Sequence, residues 1–217
     1  VLKKESDYNQ DKLYAKYKPD ICSKFTYDKR MSNVTLRRVL EAAWKEMGTF
    51  YLRYDLRTQQ QVSRSLRKAV HGRNYCIERA KQLHGIINNS KPQGHNWSRW
   101  MAHAELTRAE LLRLRFMLGQ YHATLTNARN DYGGNLRERK KRIIVRRGKV
   151  PEDYEGGMNA KKEYDLARQY IDLVKDKHRG TPWEVLASRM KRHLFPWKTT
   201  LENYPKPSPP RPPSLSF

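Results

Sequence analysis

The chain has 217 residues, with 45 Lys+Arg against 22 Asp+Glu and a formal net charge of +23. Solubility of a small domain needs a net charge of only roughly 2–8. The excess therefore points to a polyanionic partner that offsets the self-repulsion of a compact cationic chain. Cys22 and Cys76 stand in no paired spacing, which argues against a secreted disulfide scaffold, and no apolar run approaches the ~20 residues of a membrane span.

Hydrophobic residues make up 37% of the chain, below the usual globular share, so the expected core is modest. Aromatic residues are plentiful, with 13 Tyr and 5 Trp. Tails that stay unfolded are aromatic-poor, so much of this chain is expected to pack against something. There is no secretory signal. The chain opens on Val1, and removal of an organellar transit peptide is the expectation drawn from that.

Residues 1–31 set Tyr8, Tyr14, Tyr17, Phe25 and Tyr27 among lysines without a sustained period, and read as an extended arm. Residues 33–55 predict a helix, with Leu36, Leu40, Ala43, Trp44, Met47, Phe50 and Tyr54 recurring at threes and fours. Ser32 or Asn33 can cap it, and Gly48 is a place where it can kink or end early. Residues 58–88 predict a longer helix, on the order of 45 Å. Val62, Leu66, Ala69, Cys76, Ala80, Leu83 and Ile87 form its stripe. The run Asn88-Asn89-Ser90-Lys91-Pro92-Gln93-Gly94 ends it.

Residues 96–127 predict a third helix, with Trp100, Ala104, Leu111, Leu114, Leu118, Tyr121 and Leu125 on one face. Leu111, Leu114 and Leu118 are expected to be buried against the first two helices. Residues 135–157 are the most basic stretch. Within them Ile143-Ile144-Val145 reads as a short strand closed by Pro151. A fourth helix is expected over 159–178 and a fifth over 181–194. The fifth carries a sharp start signal, Thr181-Pro182-Trp183-Glu184, with Thr at the N-cap, Pro at the first helical position and Glu three residues after the cap, as in a capping box. Residues 204–217 hold six prolines and predict extended polyproline II.

The fold class expected is all-α: a long-helix bundle with an extended N-terminal arm and a Pro-rich C-terminal tail. The expected organisation is an arm at 1–31, a three-helix core at 32–130, a basic loop segment at 131–157, a two-helix unit at 158–203 and the tail at 204–217.

The basic run is the strongest functional feature. Arg137, Arg139, Lys140, Lys141, Arg142, Arg146, Arg147 and Lys149 stand with only Glu138 as acidic counterweight. Arginine's planar fork suits phosphate. A solvated loop or a targeting signal is the competing reading. The basic helix faces come second. Arg64, Arg67, Lys68, Arg79 and Lys81 lie on the second helix, with Arg64 and Lys68 taken as its contacts, and Arg113 and Arg115 represent the third. Tyr14, Tyr17, Tyr27, Trp97 and Tyr132 are candidates for stacking on bases, whereas Trp44, Trp100 and Trp183 are expected in the core. The seven histidines do not combine with the cysteines at zinc-ligand spacing, and no nucleophile–base constellation stands out. The expectation is no cofactor, no metal and no catalysis. The helices at 159–178 and 181–194 are joined by a turn short enough for a helix-turn-helix, but Trp183, Glu184 and Val185 make a poor start for reading base edges.

In overall profile, basic and helical with extended arms and a Pro-rich tail, the chain resembles the specific proteins of organellar ribosomes. No diagnostic residue carries that resemblance. It implies a non-catalytic structural component of a large ribonucleoprotein, a mitochondrial ribosomal protein of the matrix. Such a protein would bind rRNA through Lys and Arg and dock on neighbouring proteins. Two alternatives share the charge: a DNA-binding architectural protein, and an accessory subunit of an organellar respiratory or ATP-synthase complex facing acidic subunits and anionic lipid.

Overall fold

The structure, a computed structural model, describes residues 35–50, 52–89, 97–131, 136, 141–148 and 157–203. The arm at 1–31, the tail at 204–217 and much of the basic stretch at 131–157 lie outside the described residues.

Helix α1 spans Thr35–Met47 and buries Leu36, Val39, Leu40, Ala43 and Met47, a single stripe at helical spacing. It is shorter than the periodicity predicts. At Gly48 the chain turns out, with Thr49 and Phe50 donating to the carbonyls of Glu46 and Met47. The Thr49 hydroxyl donates to the same Glu46 carbonyl at 2.7 Å. Tyr54, expected on this helix, lies instead just before a short strand, β1 (Asp55–Leu56).

Helix α2 spans Gln59–Asn89. Its start carries a Thr58-x-x-Gln61 signature at capping-box spacing. The Thr58 hydroxyl accepts from the Gln61 amide at 3.2 Å, and the Gln61 side chain accepts from the Arg57 amide at 2.8 Å. The N-terminal amides that a helix leaves unpartnered are thus met by side chains. Further along α2, Gly72 is a packing device. A β-carbon there would stand 3.0 Å from Leu118 and 3.2 Å from Phe50, so any other residue would make these two side chains give way by a few tenths of an ångström where α2 meets its neighbour.

That neighbour is helix α3, Trp97–Asp131, whose 35 residues span about 52 Å at 1.5 Å per residue. The sequence predicts one apolar face, but the burial runs all round. Leu111, Leu112, Phe116, Met117, Leu118, Gln120 and Tyr121 are buried in near succession. A helix without a solvent face is one at the centre of the fold. α1 and α2 cover one side of α3, and helices α4 (Gly157–Lys177) and α5 (Pro182–Arg192) with strand β3 (Trp197–Asn203) cover the other. Leu111 and Leu118 are buried as expected, whereas Leu114 is only partly covered and looks into a groove beside α5.

Helix α4 turns into α5 through Gly180, whose φ of 76° is left-handed and favours glycine. Thr181 is the N-cap of α5, and Pro182 takes the first helical position. The capping box forms in part. Glu184 accepts from the Gly180 amide at 2.6 Å, but the Thr181 hydroxyl turns back and donates to the His178 carbonyl at 2.5 Å. It is therefore drawn into the turn and does not cap the helix.

The short strand expected at 143–145 is present as β2, Lys141–Arg147, the centre of an antiparallel sheet ordered β1-β2-β3. Leu56 pairs with Ile143, which in turn faces Leu201. Strand β3 falls where the sequence reading places no strand. Its run Trp-Lys-Thr-Thr-Leu-Glu-Asn has two β-branched residues but few apolar ones, and a partner far away in sequence specifies it. The sheet is small. The described chain is predominantly helical, in keeping with the all-α expectation. One contiguous cluster of buried side chains runs through all five helices and the sheet.

Most polar groups inside this core are matched; among the described residues, the exceptions on α3 are the single atoms Gln120 Oε1 and Arg108 Nε, which make no hydrogen bond. Glu105 of α3 is 2% exposed. It meets His178 Nε2 at 2.7 Å and accepts from the Lys177 ammonium. Burial works against its charge, but the hydrogen bonds from His178 and Lys177 outweigh it and hold the carboxyl below its ordinary range. Thr107 accepts from Trp44 Nε1 at 3.0 Å, and Trp197 Nε1 donates to the Met117 carbonyl at 3.1 Å. Cys76 is fully buried, and desolvation pushes its thiol up to about 12, which keeps it from acting as a nucleophile.

Two outcomes test this core. Leu118→Ala should cost about 2–5 kcal/mol in chemical denaturation, and Leu114→Ala distinctly less, because only the first leaves a closed cavity. Glu105 should make stability pH-dependent. Its folded pKa is depressed, so its contribution is full above the unfolded pKa and is lost as pH falls through the folded one. Unfolding free energies measured from neutral to acid pH should therefore decline less steeply in Glu105→Gln, which starts from a lower value at neutral pH.

Candidate nucleic-acid interface

Acid is scarce in this chain, and the fold commits it to holding elements together. Glu163 of α4 receives Arg73 of α2 at 2.6 Å and Arg115 of α3 at 2.8 Å, joining three helices at one carboxylate. Glu110 is clamped by Arg113 at 2.7 Å. The same guanidinium donates to the His193 carbonyl at 3.1 Å and ties the end of α5 to α3. Asp172 takes Lys191 across the α4–α5 pair at 2.7 Å.

On the outer face of the sheet the pattern repeats. Arg142 of the central strand donates to Asp55 of β1 at 2.9 Å and to Glu202 of β3 at 3.4 Å. Arg146 also meets Glu202. The hydrogen bond from Arg57, helped by that from Arg142 and by both guanidinium charges, holds Asp55 below the usual carboxylate range against the cost of burial. Arg147 lies over the Phe195 ring at 4.4 Å and donates to the Arg192 carbonyl at 3.1 Å.

The sequence-predicted candidates therefore divide. Arg113, Arg115, Arg142 and Arg146 are engaged by carboxylates, and Arg147 by a ring and a carbonyl. Lys141 is half-buried at the start of β2, and its amide donates to the Leu136 carbonyl at 3.1 Å. Arg137, Arg139, Lys140 and Lys149 lie outside the described residues, as do Tyr14, Tyr17, Tyr27 and Tyr132. Trp97 is partly buried against the core, as are Trp100 and Trp183. Trp44, expected inside, is 41% exposed. Its indole lies at the rim because its nitrogen reaches Thr107 on α3.

Arg64 and Lys68 stand differently. They are exposed on α2 and make no ion pair among the described residues. They line a cleft of about 750 Å³ together with Arg53, Tyr54, Asp55, Arg57, Gln61 and Ser65. Lys68 also borders a second hollow with Arg67, His71, Phe50 and Leu52. Arg67 and His71 in turn border a third with His122 and Arg129. The three hollows share residues and follow the N-terminal half of α2 as a predominantly basic band, with Asp55 in the first and Glu46, 3.8 Å from His71, in the second. Burial, with the charges of Arg129 and Arg73, pushes the His122 pKa down. Its neutral ring is thereby favoured within the band.

Arg53 and Arg129 belong to this band, and the sequence reading does not single them out. Arg53 lies in a stretch that reads as helix there. Arg129 is near the end of α3, far from α2 in sequence. Arg67 is legible as a basic position of the α2 face, close to one turn from Arg64, but its place between two hollows is a matter of tertiary structure.

Beyond Arg53 and Tyr54 lies a contrasting groove of about 550 Å³. Trp44, Phe50, Tyr54, Phe195 and Trp197 line it, with Leu114, Leu186 and Met190. Tyr54 borders both the groove and the cationic cleft. The residue is 49% exposed, and its ring is tilted against Trp197 at 5.5 Å. Its position is pinned from two sides. The Tyr121 hydroxyl donates to the Arg53 carbonyl at 2.6 Å, and the Val145 amide donates to the Tyr54 carbonyl at 2.8 Å.

Among the described residues no helix is long and apolar enough to cross a membrane, and no group of three or more His, Cys, Asp or Glu is placed to hold a metal ion. Comparison of the chain with protein-family models, with curated proteins and with solved structures gives no significant match.

The division of the arginines makes a prediction. Arg142→Gln should lower stability by about 0.5–1.5 kcal/mol, because the strands lose a half-buried cross-strand tie while Asp55 keeps Arg57 and Glu202 keeps Arg146. It should leave the salt dependence of polyanion binding unchanged. Denaturation and binding titrations on the same variant check both halves.

Proposed function

We propose that this chain is a non-catalytic structural component of a large ribonucleoprotein, a mitochondrial ribosomal protein that binds rRNA and docks on neighbouring proteins in the matrix. One observation carries the reading: the basic band formed by α2 and the segment before β1, in which Arg53, Arg64, Arg67 and Lys68 have no carboxylate partner among the described residues. Carboxylates hold Arg73, Arg113, Arg115, Arg142 and Arg146, whereas these four cations are exposed and border the hollows, where a ligand can reach them. Closely packed phosphates are the surface that uses such a band best, since each neutralised phosphate releases condensed counterions. A rigid helix holds the cations at a fixed spacing, which suits folded RNA. The composition supports the same reading, since a net charge of +23 favours a polyanionic environment in which the chain's self-repulsion is cancelled.

The mechanism is electrostatic and architectural. The helices present the band, and the apolar rim residues are available to neighbouring surfaces. No reaction is assigned to the chain.

The test combines assembly with affinity. The tagged protein should sediment with a large particle and leave that position after ribonuclease treatment. Substituting Arg53, Arg64 and Lys68 with glutamine should flatten the log–log salt dependence of RNA binding by roughly 0.7 for each phosphate that is no longer neutralised. The weakening should be similar for RNAs of different sequence. Unchanged slope, or co-migration with a membrane complex after ribonuclease treatment, would refute the reading.

A further inference from the structure

We infer that the junction of the cationic cleft and the aromatic groove is a site for an unpaired nucleotide, with the phosphate on the Arg53–Arg64–Lys68 side and the base stacked on Tyr54. The inference rests on the reading of the α2 band as an RNA surface and adds the form of RNA that it selects.

Four observations converge on it. First, the two hollows differ in chemistry and meet at one residue. The cleft carries Arg53, Arg57, Arg64 and Lys68, with Asp55 already held by Arg57 and Arg142. The groove is walled mainly by aromatic and aliphatic side chains, with Glu110, Arg113, Arg189 and His193 also on its lining. A nucleotide has this same division, a charged phosphate at one end and a flat π-face at the other. Second, both volumes fall within the roughly 300–1,000 Å³ range of ligand-sized pockets, so neither is a mere surface dimple.

Third, Tyr54 offers a backed ring. One side of it leans on Trp197, which is itself packed edge-on against Phe195 at 5.0 Å and Tyr121 at 6.3 Å. The residue as a whole is 49% exposed. A base can stack on such an exposed ring without needing a particular sequence. Fourth, the carbonyls on either side of the Arg53–Tyr54 peptide are fixed by hydrogen bonds from α3 and from β2. The backbone that carries the ring is therefore held in place, and little backbone freedom is lost on binding.

A duplex buries its base faces in its own stack, so it can use the cations but not the ring. The site accordingly prefers loops, bulges and single strands. The aromatic chemistry also separates this ligand from an acidic peptide, which would use the cleft alone.

The full-length chain is titrated with a fluorescein-labelled polyuridine oligomer and with a blunt RNA duplex of the same phosphate count. Tyr54→Leu should weaken the single strand by roughly 5-fold or more, the lower end of measured base–aromatic stacking, and leave the duplex unaffected. Tyr54→Phe should retain binding to both. Equal effects on the two RNAs, or none on either, would overturn the inference while leaving the band's own salt-slope test standing. Absence of salt-dependent binding to either RNA by the unaltered chain would instead remove the RNA reading itself. A second measurement needs no variant. An oligomer bearing 5-iodouridine, irradiated in complex with the unaltered protein, should crosslink to Tyr54 or to Trp44 across the groove. Crosslinks confined to residues away from this junction would overturn the inference even if the Leu variant failed to fold.

Discussion

Everything in this fold is arranged around the burial of α3 on all sides. A helix of 35 residues covered on all sides except at its C-terminal end must find partners within the protein for most of its buried polar side chains, because an unmatched buried donor or acceptor costs about 1–3 kcal/mol. That requirement determines where the other elements go. Glu105 requires His178 and Lys177, so the end of α4 and its turn lie against the N-terminal half of α3. Thr107 requires the Trp44 indole, which sets the rotation of α1. Tyr121 and Thr124 reach the Arg53 and Trp197 carbonyls, so the segment before β1 and the start of β3 settle near the far end. The sheet is a consequence of this last step, since β1 and β3 are brought close enough for β2 to run between them.

The helices were legible in the sequence because each satisfies a local rule. The stripes on α1 and α2 repeat at the helical period, and Gly180 with Pro182 marks the turn between α4 and α5 whichever way the rest packs. What was not legible depends on distant partners. β3 has a weak strand pattern and owes its form to β2. The all-round burial of α3 looks in sequence like one good face with stray apolar residues on the others, since what lies on the second side is fixed only by tertiary structure. The Thr181 box shows the same limit on a smaller scale. Its residues stand at the correct spacing, but the hydroxyl finds a closer acceptor in the His178 carbonyl.

The candidate surface was half legible for a related reason. A count of Lys and Arg measures total charge and says nothing of how it is paired. Arg142 and Arg146, in the most basic run, turn out to be cross-strand ties, whereas Arg64 and Lys68, in a less basic helix, are unopposed. Pairing is a property of neighbours in space. Asp55 and Glu202 are 147 positions apart in sequence, and only the register of the sheet places both beside Arg142. In this protein the few carboxylates act as internal fasteners, and the charge left over becomes the surface.

The sheet draws its strands from residues 55–56, 141–147 and 197–203, and this long reach has a consequence for the order in which the molecule is completed. Contacts between such distant segments close late, because the entropy of bringing them together must be spent before they return any stability. The helix pair α2–α3 is close in sequence and can form early, so the basic band can exist on a chain still being synthesised. The aromatic groove cannot. It needs Phe195 and Trp197, and its pinned ridge needs Val145. A growing chain would thus acquire its general attraction for polyanions well before it acquired any means of telling one from another.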